Sequence, residues 1–164
     1  MSTKTINYKN PGSSSTTRFE KIHTVVFDDK KTAEFLVAEE IKKLIEKNNK
    51  KNKNTVLGLA TGSSPVGVYN QLIYFHKNDK LSFKNVVTYN LDEYYGLEKN
   101  HKQSYHQFMD EQLFNHIDIN RDNINIPDGK LNKNNIDKYC KDYENKINSH
   151  GGIDIQILGI GANG

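Results

Sequence analysis

The sequence contains a single cysteine and no long apolar run, and these two absences remove several classes of protein. Because Cys140 is the only cysteine, no intrachain disulfide is available, and we expect a reducing compartment. No stretch approaches the roughly 20 apolar residues that cross a bilayer. Residues 1–21 are mostly polar and lack the apolar core of a signal peptide. We therefore expect a cytoplasmic protein with no membrane partner.

A strong charge of one sign is also missing. The 23 basic and 20 acidic residues leave a net charge of +3 at pH 7, and no basic stripe is interleaved with aromatic residues. A nucleic-acid partner is therefore not expected. The 164 residues, of which 35% are hydrophobic and 26% charged, suffice instead for one globular domain with a sizeable core.

Composition divides the chain into a polar tail and one domain. Residues 1–20 are mainly Ser, Thr, Asn, Lys and Gly, which predicts a flexible or loosely docked N-terminal tail. Residues 21–164 contain neither internal repeats nor a linker. We interpret them as belonging to a single domain.

Apolar runs alternate with amphipathic stretches along this domain, which predicts strands that alternate with helices. Asp28 or Asp29 is a candidate N-cap of the first helix, and Pro65 suits the first turn of the second. The predicted strands cover 23–27, 55–60, 85–91 and 153–161, a short extended piece lies in 123–129, and the predicted helices cover 28–50, 65–79, 104–116 and 134–150.

This order implies an α/β fold with a doubly wound, mostly parallel sheet that helices cover on both faces. The continuous apolar runs at 55–60 and 153–161 are typical of strands buried on both faces. No helix follows the last predicted strand. We therefore expect a sheet that is incomplete at the C-terminus, and a chain that is the front portion of a longer protein.

The first candidate site follows the strand at 55–60, where the segment ATGSSP leads into a helix. Ligands of open α/β sheets bind beyond the carboxyl ends of the strands. A small-residue turn before a helix offers N–H groups and the positive end of the helix dipole to an anion, and Thr61, Ser63 and Ser64 add hydroxyl groups. No lysine follows as in a nucleoside-triphosphate P-loop. The alternative is that Ser63 or Ser64 only caps the helix.

The second candidate site is the segment NLDEYYG, which places Asp92 and Glu93 at the end of the strand 85–91. Neighbouring side chains on an extended backbone diverge, so we expect one carboxylate in the cleft while the other braces the loop. A carboxylate beside a bound sugar could act as a general base at carbon. A solvated acidic turn is the alternative.

The third strand end, GIGANG, is a weak signal by itself. Its glycines lack the spacing of a dinucleotide-binding fingerprint. The six histidines form no metal-binding pattern such as H-E-x-x-H, so no metal is expected.

Taken together, these three turns resemble those of glucosamine-6-phosphate deaminases, in the sugar-phosphate isomerase/deaminase superfamily. The similar stretches are LGLATGSSPVGVYNQLI, VTYNLDEYYGL, SYHQFMDEQLFNHIDI, NINIPDG and GGIDIQILGIGANG, in the family's order and spacing. A weaker match, RFEKIHTVVFDD, suggests the longer-tailed versions of the family. The resemblance implies a Rossmann-like sheet and makes 21–164 the N-terminal part of one isomerase/deaminase domain.

The resemblance also implies a reaction and its site residues. The family converts glucosamine 6-phosphate and water to fructose 6-phosphate and ammonia, without a metal or an organic cofactor. It implies that Thr61, Gly62, Ser63 and Ser64 bind the phosphate of this sugar phosphate. Asp92 matches the aspartate that takes the C2 proton of the opened sugar and returns it at C1.

Two further positions match the family in lesser roles. Glu93 corresponds to the adjacent glutamate, which we expect to support the loop and not to take part in the chemistry. Asn163 falls where members have Asp or Asn, and as Asn it can orient polar groups but cannot carry a proton. Family members often assemble as hexamers or lower oligomers, so a homo-oligomer is a further expectation.

The chain departs from the family pattern after Gly164. The ring-opening histidine, an F-N-E-P-type segment and a later lysine that clamps the phosphate would all follow GIGANG. We therefore expect the full protein to be a deaminase, and this chain to have little or no activity and to aggregate through its uncovered last strand.

Three other interpretations stay open. A 6-phosphogluconolactonase shares the fold and a similar phosphate loop but lacks the NLDEYYGL pattern. A non-catalytic sugar-phosphate sensor would keep the loop and use binding to shift a partner equilibrium. The chain could also be a degenerate product without function.

Overall fold

The computed structural model describes residues 24–161. These residues build an α/β unit around a four-stranded parallel sheet with strand order β3-β2-β1-β4. The elements in chain order are α1 (Lys30–Asn49), β1 (Thr55–Leu59), α2 (Val66–Asp79), β2 (Val86–Asn90), α3 (Tyr105–Gln112), β3 (Ile124–Asn125), α4 (Ile136–Ser149) and β4 (Ile155–Gln156), with 3₁₀ turns at Phe114–His116, Arg121–Asn123 and Lys133–Asn135. The predicted parallel α/β fold is confirmed.

The two central strands carry the core. β1 and β2 pair in parallel from Thr55↔Val86 to Leu59↔Asn90, and every residue of both strands is buried. Side chains alternate between the faces of a strand, so the continuous apolar runs meet cover on both sides. One face packs against α1, α2 and α3 through a large cluster that includes Ile41 and Leu72. The other face carries Val56, Val87 and Tyr89, against which α4 packs.

Local signals in the sequence explain where the helices begin. Asp29 is the N-cap of α1, and its carboxylate accepts hydrogen bonds from the N–H of Thr32 at 2.8 Å and from the Thr32 hydroxyl at 2.7 Å. Ser104 caps α3 in the same way, since its Oγ accepts from the N–H of Gln107 at 3.0 Å. Pro65 is the N-cap residue of α2 and makes no side-chain hydrogen bond there.

The predicted strand at 23–27 is wrong in the described part, because residues 24–27 form no regular structure. Val26 is 72% exposed, and within residues 24–161 no strand pairs with this segment. β-Branched residues favour a strand only where a neighbouring strand supplies hydrogen bonds and packing.

The predicted buried strand at 153–161 is also corrected. β4 covers only Ile155–Gln156, is half-buried, and pairs with β1 through Leu57↔Ile155 and Gly58↔Gln156. Beyond it the apolar residues leave the sheet, since Leu158 is 66% and Ile160 is 89% exposed. β4 is an edge strand within residues 24–161, and an apolar run alone does not distinguish an edge strand from a central one.

Two smaller differences concern the region between β2 and α4. The extended piece in 123–129 is β3, a two-residue strand parallel to β2. The helix predicted over 104–116 ends at Gln112, because Leu113 leaves helical geometry (φ −145°) before the 3₁₀ turn. No helix in the described part of the chain is long and apolar enough to span a membrane.

Candidate functional site

The carboxyl ends of β1 and β2 lie side by side. The register pairs Leu59 with Asn90, the last residues of the two strands. The turn that follows β1 and the acidic segment that follows β2 therefore leave the sheet at neighbouring points of one edge, the edge at which parallel α/β sheets bind ligands. Asn90 is buried at this junction, and its Nδ2 donates to the carbonyl of Leu59 at 3.4 Å while its Oδ1 has no partner within residues 24–161.

The turn after β1 presents its small residues to solvent. Thr61 is half-buried, whereas Gly62, Ser63 and Ser64 are exposed. Gly62 has φ +92°, a conformation that residues with a Cβ rarely adopt, although a Cβ there would meet no atom within 4 Å. Glycine is therefore required at this position for the backbone path of the turn, and not for packing against the protein.

The N-terminus of α2 has no side-chain cap. Neither Ser63 nor Ser64 hydrogen-bonds the helix, so the capping alternative for these serines is not adopted. The buried Tyr69 holds the start of the turn in place, since its hydroxyl donates to the carbonyl of Ala60 at 2.5 Å. Burial raises the pKa of the Tyr69 hydroxyl well above its usual range despite that bond, so it stays a donor. The helix thus starts with N–H groups that no hydroxyl occupies.

One carboxylate lies close to this helix terminus. The Glu34 side chain of α1 is so near Gly67 that a Cβ on that glycine would come within 1.9 Å of it. Glu34 is paired with Lys30 at 3.2 Å. An anion at the turn would therefore share the terminus of α2 with a carboxylate that a lysine partly neutralises.

The two carboxylates after β2 have opposite environments. Asp92 is exposed at the edge of the sheet, whereas only 1% of the Glu93 side chain is exposed. Glu93 Oε1 accepts from the N–H of Tyr94 at 2.8 Å and of Tyr105 at 2.9 Å. Its Oε2 accepts from the N–H of His106 at 3.1 Å and contacts the ring Nδ1 of His106 at 2.9 Å.

Glu93 therefore joins the acidic loop to the first turn of α3. Burial would raise the pKa of Glu93, but the hydrogen bonds from Tyr105, His106 and Tyr94 outweigh it and hold that pKa below its ordinary value. The pKa of Asp92 moves in the other direction, raised first by partial burial and then by the negative charge of Glu93. The loop thus holds one carboxylate that keeps its charge to lower pH than usual beside one that binds a proton more readily.

Tyr105, the first residue of α3, connects the two strand ends, and the sequence analysis missed it. Its hydroxyl lies near the side chains of Tyr94 and Thr61 and within electrostatic reach of Asp92. The nearby Tyr94 side chain, burial and the charge of Asp92 together raise the pKa of Tyr105. The rings of Tyr94 and Tyr105 are 4.7 Å apart between centroids. Helical periodicity does not single out Tyr105. Its position directly after the Ser104 cap does predict that it lies at the N-terminus of α3, near the acidic loop.

Two open clefts flank the acidic loop. The first, which we call the turn cleft, encloses about 710 Å³, and its lining includes Thr61, Gly62, Lys102 and Tyr105. The second, the acidic cleft, encloses about 600 Å³ between the loop and α4, and its lining includes Asp92, Asp128, Tyr139 and Tyr143. Tyr95 lines both clefts.

The structure distributes the predicted site residues over these clefts. Thr61 and Gly62 lie in the turn cleft, Asp92 and Glu93 lie in the acidic cleft, and Ser64 lines a third cleft between α1 and β4. Asn163 lies outside the described residues, as do residues 1–20. No group of three or more His, Cys, Asp or Glu side chains within residues 24–161 has metal-binding geometry.

The loop between the clefts is held by a close approach. Gly129, in the connection after β3, accepts a hydrogen bond at 2.6 Å from the N–H of Gly96. A Cβ at Gly129 would come within 2.5 Å of the carbonyl oxygen of Tyr94. Because that neighbour is backbone and cannot yield cheaply, only glycine fits at 129. The contact anchors the acidic loop to the connection after β3.

A parallel α/β sheet with a small-residue turn and an acidic loop at its carboxyl edge defines a class of small-molecule-binding domains. Comparison with known proteins gives the family. Residues 28–164 match the family of glucosamine-6-phosphate isomerases and 6-phosphogluconolactonases. The chain belongs to this family.

Relatives with known names agree with this assignment. Glucosamine-6-phosphate deaminase of Clostridium botulinum (strain Langeland) is 54% identical over 111 residues, 68% of this chain and 45% of that protein. The enzyme of the same name from Thermoanaerobacter sp. (strain X514) is 50% identical over 121 residues, 74% of this chain and 47% of that protein. The chain thus spans about half the length of the curated relatives it matches.

Solved structures share the fold. A monomeric glucosamine-6-phosphate deaminase aligns with TM-score 0.76 and 39% identity over 83% of this chain and 54% of its own. A 6-phosphogluconolactonase from Thermotoga maritima aligns with TM-score 0.63 and 29% identity over 78% of this chain and 56% of its own.

Proposed function

We propose that this chain forms the substrate-binding front of a glucosamine-6-phosphate deaminase. The observation that carries the proposal is the placement of Thr61 and Asp92 directly after two paired parallel strands. The named relatives at 50–54% identity are deaminases. We propose a cytoplasmic protein of amino-sugar catabolism that needs no metal or organic cofactor.

In this proposal the residues Thr61, Gly62, Ser63 and Ser64 bind the phosphate group. The uncapped start of α2 offers N–H donors, and the exposed serines offer hydroxyl groups. Asn163, which follows the last described strand, would orient a polar group of the sugar without carrying a proton.

Asp92 is the proposed base. Removal of the C2 proton from the opened aldose leaves an enolamine, and return of that proton at C1 gives a ketose iminium, which water hydrolyses to fructose 6-phosphate and ammonia. A carboxylate with a raised pKa suits this shuttle, because it must both accept and release one proton. Glu93 holds the loop through four contacts to Tyr94, Tyr105 and His106.

The experiment is ammonia release from glucosamine 6-phosphate, measured on this 164-residue chain and on the complete reading frame that contains it. We expect activity in the longer protein and little or none in the 164-residue chain. Hydrolysis of 6-phosphogluconolactone is measured in parallel, because a lactonase is the related alternative. Sugar-phosphate binding without either reaction would overturn the enzyme proposal in favour of a sensor.

A further inference from the structure

We propose that His106 is a positioning residue for the reaction at Asp92, and that it acts through the buried carboxylate of Glu93. This inference rests on the proposed function and deepens it, because the family resemblance assigns no role to His106. In this arrangement the first turn of α3 supports the proposed base by way of the residue that follows the base in the chain.

The carboxylate of Asp92 has no anchor of its own. Asp92 is exposed, and neither a hydrogen bond nor an ion pair holds its side chain within residues 24–161. A base that removes a proton from carbon must lie within hydrogen-bond reach of that proton. The direction of the Asp92 side chain therefore depends on the backbone of the acidic loop, in which Glu93 is the next residue.

Glu93 binds the N-terminus of α3 from outside the helix. Its two oxygens accept from the N–H groups of the first two helical residues, Tyr105 at 2.9 Å and His106 at 3.1 Å. The third N–H, of Gln107, donates to Ser104 Oγ at 3.0 Å. A carboxylate is favoured at this place because the first N–H groups of a helix have no partner in the helix and form its positive end. The helix thus fixes where the Glu93 carboxylate lies.

The imidazole of His106 completes the contacts of this carboxylate. Glu93 Oε1 accepts from two backbone N–H groups, whereas Oε2 has one N–H group and the ring Nδ1 of His106 at 2.9 Å. Because only 1% of the Glu93 side chain is exposed, water cannot easily replace the ring. Loss of the ring would leave one oxygen of a buried charge with a single donor, which is costly.

The contact between the ring and the carboxylate has a defined direction. The hydrogen bonds around Glu93 hold its pKa below the ordinary value, and an ionised carboxylate only accepts hydrogen bonds. Nδ1 of His106 is therefore the donor. Nε2 makes no hydrogen bond within residues 24–161, and the ring lines an open cleft of about 600 Å³ between α3 and α4. The support of Glu93 thus depends on Nδ1, and a side chain with a donor at that place should preserve it.

The test is steady-state ammonia release from glucosamine 6-phosphate by the complete reading frame, with three substitutions of His106. His106→Leu removes the donor, His106→Asn places an amide N–H close to the position of Nδ1, and His106→Gln places one closer to that of Nε2. We expect His106→Leu and His106→Gln to lower kcat about thirtyfold with little change in KM, because misplacement by about 1 Å costs as much as about 100-fold in rate. His106→Asn should recover most of kcat.

His116→Leu is the matched control. His116 ends the 3₁₀ turn after α3, and its Nε2 contacts the backbone carbonyl of Glu111 at 2.9 Å. Its loss removes an imidazole contact without touching the acidic loop, so kcat should stay within about twofold of wild type. Circular dichroism and thermal unfolding check that each variant is folded at the assay temperature.

A double variant tests the route through Glu93. If His106 acts through Glu93, the combination of Glu93→Gln with His106→Leu should be about as slow as the slower single variant. Rate losses that multiply would mean that the two side chains act independently, and the proposed route would be wrong.

The outcomes separate this inference from the proposed function. An active wild type together with a folded His106→Leu variant of unchanged kcat would overturn the role of His106 and leave the deaminase proposal in place. If His106→Leu does not fold, the comparison of His106→Asn with His106→Gln decides, and equal kcat values for these two amides would overturn the role of the Nδ1 donor. A complete protein that is folded but releases no ammonia would contradict the proposed function, and the inference with it.

Discussion

The turn cleft and the acidic cleft are neighbours of similar size with opposite charge. The turn cleft has Lys102 and no carboxylate in its lining, whereas the acidic cleft has Asp92, Glu93, Asp128 and Glu144 and no Lys, Arg or His among the described residues that line it. A ligand with an anionic end and an amino group would be oriented by this difference alone. In the proposed function, this difference would let one sheet edge hold a phosphate and keep a base beside the reacting carbon.

The largest expected effect comes from removing the proposed base, Asp92, from the acidic cleft. In the complete reading frame, Asp92→Asn should lower kcat for ammonia release by about a thousandfold while KM changes little, since loss of a positioned base costs roughly 10²–10⁴ in rate. Steady-state kinetics check it. A variant that keeps most of its kcat would remove Asp92 from the proton transfer.

The next effect concerns the loop between the clefts. Glu93→Gln keeps the shape of the side chain but removes the charge that accepts hydrogen bonds from the start of α3. We expect the free energy of unfolding at pH 7 to fall by about 2 kcal/mol, whereas the exposed Glu98→Gln should cost less than about 0.5 kcal/mol. Urea unfolding of both variants gives the comparison.

The pH dependence of this difference has a defined sign. Because the folded-state pKa of Glu93 is below its ordinary value, its stabilising contribution is present above the ordinary glutamate range and is lost as pH falls through the folded pKa. The gap between wild type and Glu93→Gln should therefore close in acid. A gap that is constant with pH would mean that the charge of Glu93 contributes nothing.

A smaller effect is expected from changing the backbone of the turn cleft at Gly62. Gly62→Ala places a Cβ on a residue with φ +92° and should cost about 1 kcal/mol of stability. It should also weaken phosphate binding, because the turn must shift. Gly159→Ala is the control, since a Cβ there meets no atom within 4 Å and its φ is not positive. Equal behaviour of the two variants would show that the turn needs no special backbone.

The smallest effect concerns Asp92 in the folded chain. Its pKa is raised by partial burial and by Glu93, so its charge opposes folding at neutral pH. Asp92→Asn should therefore raise the thermal midpoint slightly at pH 7, and this gain should vanish as pH falls below the ordinary aspartate range. A variant that is less stable than wild type at pH 7 would contradict the conclusion that burial and the charge of Glu93 destabilise the charged form of Asp92.

The sequence predicted the central architecture because its signals are local. The apolar run at 55–60, Asp28 or Asp29 as a helix cap and the helical periodicity after Pro65 each depend on nearby residues alone. The pairing of β1 with β2 placed Thr61 and Asp92 at one edge, as expected for parallel strands.

The errors and omissions have a different cause. Residues 24–27 and 157–161 look like strands, but strand formation depends on neighbours that composition does not reveal. Lys102, Tyr105 and His106 reach the site through the path of the loop after β2, and no periodicity predicts the path of a loop. Sequence patterns therefore do not predict which side chains of such a loop reach the site.

The central claim is that one sugar phosphate spans both clefts, with its phosphate at the turn and its reacting carbon at Asp92. Amide chemical-shift mapping of the labelled complete reading frame tests it most directly. Inorganic phosphate should shift signals in 61–67 and 102–105 only, and glucosamine 6-phosphate should shift these and also 91–95. Shifts from glucosamine 6-phosphate that spare 61–67, or that appear only between α3 and α4, would contradict the account.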